Sequence, residues 1–137
     1  MAHVSQKPLK QHVRTRLSRQ LVHTVTSLRS TASSAQFISE LLTETEQIML
    51  AKRLMMIFML AEGVSQYRIR HLLQMSPSTV LKTARTIDRG GYWHIARFCR
   101  QKKRREILWH ELEALVRLGM PSRGRNRWEW LNKLYKK

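Results

Sequence analysis

The chain predicts an all-α fold, a helical bundle containing a helix-turn-helix, with a basic helical extension at the C-terminal end. Three observations point there. Apolar residues recur at helical spacing from Leu9 onward. A capping box at Thr43–Glu46 opens the longest apolar stretch. Two short helical patterns meet at Ser76-Pro77, where serine suits an N-cap and proline the first helical position. The 137 residues suffice for one ordinary domain with an extension. We expect a dimerising core over residues 1–92, with the hairpin at 63–89, and the basic extension over 93–137.

In chain order, Leu9, Val13, Leu17, Leu21, Val25 and Leu28 form a narrow stripe, with Lys10, Arg14, Arg16 and Arg19 outside it. Such a stripe needs a cover, either a second subunit or the chain's own core. The run Ser30-Thr31-Ala32-Ser33-Ser34 reads as a linker or corner, followed by a short helix over Ala35–Leu42. The capping box then starts Glu44–Glu62, whose second half is apolar on all sides and predicts a central helix. Gly63 supplies its left-handed stop.

The hairpin follows directly. Its first helix, Gln66–Leu73, offers Ile69, Leu72 and Leu73 to the core; its second, Pro77–Ile87, offers Val80, Leu81, Ala84 and Ile87. The glycine pair Gly90-Gly91 ends it. Beyond Trp93 the chain holds 13 Lys and Arg against 4 Asp and Glu. A helix over Arg104–Leu118 is expected there, then a loop over Met120–Arg127 and a last amphipathic turn over Trp128–Tyr135.

A helical hairpin with one solvated face fits residues 63–89 as well as a helix-turn-helix does; net charge decides. With 26 Lys and Arg against 9 Asp and Glu, the formal charge is +17 and the pI about 11.4. That balance calls for a polyanion, nucleic acid before an anionic membrane. The longest apolar run, Leu54–Ala61, is too short to span a bilayer, and the first residues lack a secretory apolar region. One cysteine, Cys99, excludes an intramolecular disulfide and fits a reducing cytosol, so a cytoplasmic, nucleoid-associated protein is expected. The six histidines show no metal-ligand pairing, and no glycine phosphate loop, acid–base pair or nucleophile motif appears. No enzyme, metal or cofactor is expected.

The residues from Phe37 to Ile87 resemble the tryptophan-repressor superfamily, particularly its YerC/YecD-like relatives. The resemblance rests on the LLT-x-x-E opening at Leu41–Glu46, the AKRL of Ala51–Leu54, the EGVSQ of Glu62–Gln66 and the SPSTV of Ser76–Val80. The Gly90-Gly91-Tyr92 ending extends it to Tyr92. It implies an intertwined homodimer joined through the N-terminal helices, with each hairpin in the major groove of double-stranded DNA. It also implies a ligand pocket at Thr43, Arg53 and Lys82, and there the chain departs from the family. Lys82 stands where the family's stacking arginine falls, and Thr83 where a small glycine falls. Lysine lacks the planar fork of a guanidinium. The pocket is therefore expected to be vestigial, with no tryptophan corepressor and with DNA binding either constitutive or governed by something other than tryptophan, any small-molecule effector being unknown.

Ser78, Thr79, Lys82 and Thr83, near the start of the second helix, are the expected base contacts. Gln66, Arg68, Arg70 and Arg85 suit phosphates. The run Arg100, Lys102, Lys103, Arg104 and Arg105 would grip the backbone beside them, as would Arg123 and Arg125, whose Arg-Gly-Arg resembles an AT-hook core. These readings describe a sequence-specific, dimeric transcriptional regulator. The rivals are a basic structural or RNA- or nucleoid-associated protein, whose Trp93, Trp109, Trp128, Trp130 and Tyr135 could stack on unpaired bases, and a transposase DNA-binding subunit.

Overall fold

A computed structural model describes residues 7–118 of the chain. Among them are seven α-helices and no strand: α1 (Gln11–Ser27), α2 (Thr31–Leu41), α3 (Glu44–Ala61), α4 (Gln66–Leu73), α5 (Pro77–Asp88), α6 (Trp93–Arg100) and α7 (Lys102–Leu118). The expected loop with Arg123 and Arg125, and the expected turn with Trp128, Trp130 and Tyr135, lie outside the described residues. The chain divides into two compact units, residues 1–48 and 49–137.

In the first unit, α1 buries none of its side chains, and Leu17, Leu21, Val22 and Val25 stand about half exposed. The apolar stripe has formed as expected and lies open. The second helix starts earlier than expected. Residues 31–34 are its first turn rather than a linker, because Ser30 caps it: the Ser30 hydroxyl accepts the Ser33 N–H at 3.1 Å. Serine clusters favour caps as much as corners, since the short hydroxyl satisfies an orphan amide in either. The capping box closes as its spacing predicts. Thr43 N–H donates to Glu46 Oε2 at 2.9 Å, and Glu46 N–H donates to Thr43 Oγ1 at 3.3 Å. These bonds to Thr43, backbone first and hydroxyl second, hold the Glu46 carboxyl below its usual range.

The second unit is built on one core. Met56, Phe58 and Met59 of α3, Ile69 and Leu73 of α4, Val80 of α5, Cys99 of α6 and Leu112 of α7 form a single buried cluster. Burying one such large apolar side chain stabilises the fold by about 1.5–3 kcal/mol. Trp109 meets Phe58 edge-on, with ring centroids 5.7 Å apart. The central helix is buried around residues 56–59, but Leu54 remains exposed. Gly63, at φ 80°, closes it: Val64 N–H reaches back to Met59 O at 2.9 Å, a Schellman-type stop.

The glycine pair leads into an unexpected helix. Tyr92 opens α6 from a left-handed conformation, φ 57°, with no side-chain cap, so no local capping signal announces it. The basic run is also split. Gln101, with ψ 130°, ends α6, and α7 begins at Lys102 instead of Arg104. Burial pushes the Cys99 thiol up, against a smaller downward pull from Arg104.

Candidate nucleic-acid interface

The hairpin is built from α4 and α5. Ser65 caps the first helix, its hydroxyl accepting the Arg68 N–H at 3.4 Å. Gln74 ends that helix in the left-handed region at φ 51°, and Met75 N–H returns to Arg70 O at 3.2 Å. Two residues later Ser76 caps the second helix. Its hydroxyl accepts the Thr79 N–H at 3.3 Å and shares a 2.7 Å hydrogen bond with the Thr79 hydroxyl, while Pro77 occupies the first turn. Turn and caps thus fix how α5 leaves α4. Ile69, Leu73 and Val80 bury the inner faces of both helices.

The outer face of α5 carries Ser78, Thr79, Lys82 and Arg85, all exposed. Thr83 does not join them. It is 7% exposed, one helical turn from Val80 on the inner stripe, and its hydroxyl donates to Thr79 O at 3.0 Å. Leu81, expected inside, is exposed in its place. Hence Thr83 is withdrawn from the base-contacting set. Gln66 and Arg68 are exposed on α4, whereas Arg70 is half-buried, with a buried Nε that no described group accepts. Thr43 serves its capping box, and Arg53 is exposed on α3.

The basic run does not act as one unit. Arg100 Nη2 donates to Ala61 O at 2.8 Å, and Arg105 pairs with Glu62 at 2.9 Å. Arg104 lies over the Phe98 ring, 5.0 Å from its centroid. Lys102 and Lys103 are exposed. Two of the five cations expected on phosphates therefore also hold the fold together. Tyr67 and His71, not anticipated, meet on the exposed side of α4 with ring planes tilted by 56° and centroids 4.3 Å apart. Their four-residue spacing was the signal in the sequence.

Among the described residues no group of three or more His, Cys, Asp or Glu could hold a metal ion, and no helix is long and apolar enough to cross a membrane. No curated protein and no solved structure matches the chain. The family model described as Trp repressor protein matches residues 17–101, more than half of the chain, and takes in the whole hairpin. With that match, the seven helices and the capped hairpin at residues 65–88, the chain belongs to the Trp repressor protein family.

Proposed function

We propose that this protein is a homodimeric transcriptional regulator that reads double-stranded DNA by placing α5 in the major groove. The observation that carries the reading is the division of α5 into two faces. Val80, Thr83 and Ala84 are buried, while Ser78, Thr79, Lys82 and Arg85 face outward from a helix fixed by its Ser76 cap. Residues near the start of such a helix reach base edges, and later cations reach phosphates. Ser78, Thr79 and Lys82 are the base contacts in this reading. Gln66, Arg68, Arg70, Arg85, Lys102, Lys103 and Arg104 hold the backbone, with Arg100 and Arg105 in a supporting part.

Two further features support it. The open stripe of α1 is suited to a second copy of the same helix, which makes the reader a dimer with two half-sites. Thr83 fills buried space where a ligand-binding relative would keep a glycine, and its hydroxyl is already bonded. DNA binding without tryptophan follows, and the nucleoid is the place for it. A saturable tryptophan site found by calorimetry would overturn that part.

The test is selection from a random duplex pool with the full chain and with Lys82→Ala. The parent should enrich a short palindrome. Lys82→Ala should shift which sequences are enriched; a uniform loss across all sequences would make Lys82 a phosphate contact. Equal retention of every duplex by the parent would overturn sequence reading altogether.

A further inference from the structure

We propose that the cleft where α6 meets α7 holds an unpaired DNA strand, with Trp93 as a base-stacking platform, Trp109 in the cleft wall and the basic run on its phosphates. Two adjoining concavities, of about 300 and 700 Å³, share Arg100. Trp93 and Arg97 line the smaller one on α6, and Lys102, Arg105 and Trp109 line the larger one on α7. Residues 97–105 contain six Lys and Arg and no carboxylate. The family match ends at residue 101, so most of the larger concavity is built by residues beyond it.

Trp93, which lines the smaller concavity, is 55% exposed, unusual for so large a ring. Its ring lies under the Arg97 guanidinium, 5.2 Å from the centroid; outside the cleft lining, Arg104 sits over Phe98 in the same way at 5.0 Å. Aromatic rings interleaved with cations at a surface suit a single strand, whose bases stack on the rings while its phosphates meet the cations. A duplex stacks its bases on one another and leaves such platforms idle.

Glu106 and Glu113 also line the larger concavity. Carboxylates repel phosphates, yet accept hydrogen bonds from the amino group of a base. A mixed lining of ring, cation and carboxylate therefore favours an exposed nucleotide over a plain phosphate backbone. Arg100 and Arg105 keep more than half of their side chains exposed despite their bonds to Ala61 and Glu62. Choosing DNA over RNA rests on the proposed function, in which α4 and α5, built on the same core as α6 and α7, already hold DNA.

The experiment is fluorescence anisotropy at physiological salt with the full chain and three labelled probes, an oligodeoxycytidylate, an oligocytidylate RNA of the same length and a DNA duplex. Trp93→Ala should weaken single-strand binding about tenfold and leave duplex binding within about twofold. Trp93→Phe, which keeps a ring, should retain most of the single-strand affinity, and Arg97→Ala should lose part of it. Lys82→Ala should show the reverse pattern, weakening the duplex alone. Single-strand binding unmoved by Trp93→Ala, an equal loss on both DNA probes, or tighter binding of oligocytidylate RNA would overturn the proposal. If the parent binds duplex but no single strand, this inference fails and the reading of the hairpin stands. If it binds single strand but no duplex, the hairpin reading fails instead.

Discussion

Arg105 Nη2 stands 2.9 Å from Glu62 Oε2, tying the first turn of α7 to the residue that follows α3. A second bond, Arg105 Nε to Glu62 Oε2 at 3.0 Å, makes the grip two-pronged. The Glu62 side chain is 8% exposed against 53% for Arg105, so the carboxylate is largely out of water while the cation remains in it. Removing the carboxylate also strands Arg100, 4.0 Å away. Glu62→Ala should therefore destabilise the fold by about 1–2 kcal/mol in urea unfolding, the solvent-facing side of the pair keeping the loss modest. Lys103→Ala should leave stability within about 0.5 kcal/mol. Instead it should lower the salt slope of duplex binding by about one. Equal effects of the two substitutions on both quantities would mean that the basic run does not divide as described.

Ser76 has three partners at the start of α5: the Thr79 N–H and the hydroxyls of Ser78 and Thr79. Ser76→Ala should cost about 1 kcal/mol in thermal or urea unfolding, the ordinary loss for a serine cap. Ser76→Gly should cost only a few tenths of that unit. The same rank order should appear in duplex affinity if a frayed first turn misplaces Ser78 and Thr79. Unchanged stability in the alanine variant would mean that Pro77 alone holds the turn.

Gly91 has no room for a side chain. A Cβ built there would lie 2.5 Å from Thr86 Cγ2 and 2.8 Å from Thr86 O. The backbone carbonyl cannot move cheaply, because it accepts the Gly91 N–H at 2.8 Å. Gly91→Ala should destabilise the second unit by about 1–3 kcal/mol, seen as a lower urea midpoint. The double variant Gly91→Ala, Thr86→Ser should recover only the part caused by the methyl group. Full recovery would show that the carbonyl is not the obstacle.

Glu46 predicts a pH effect with a definite sign. Its carboxyl is held below the usual range in the fold by Thr43, so the ionised form binds better folded than unfolded. The contribution is complete above the unfolded carboxyl's pKa and is lost as pH falls through the lower folded value. The gap in thermal midpoint between the parent and Glu46→Gln should be constant near neutrality and close in acid. A gap that widens as the pH drops would contradict the capping role.

The parts of the fold that local chemistry marks were legible in the sequence. The two ends of α3 and the start of α5 follow from Thr43, Gly63, Ser76 and Pro77, each of which either satisfies or stops a helix end by itself. What depends on distant partners was not legible. Helix α6 has no side-chain cap and is held by Cys99 in a core made from four other helices. Likewise, nothing local shows that Arg100 and Arg105 turn back to Ala61 and Glu62, some forty residues earlier. Thr83 is the case between. Its spacing from Val80 and Ile87 placed it inside, and its polarity suggested the opposite. Spacing prevailed because Thr79 O takes up the hydroxyl.

The open stripe of α1 carries a consequence for dosage. A helix of 17 residues that fully buries none of its own side chains gains little packing energy, and such a helix alone in water is only marginally formed. With the second copy proposed above as its cover, order in α1 becomes a bimolecular matter, and the ordered fraction rises with the amount of chain present. If the pairing holds, dilute chain would carry an intact hairpin with a frayed α1, and more concentrated chain a paired and ordered one. On that reading, copy number sets how much paired reader is present.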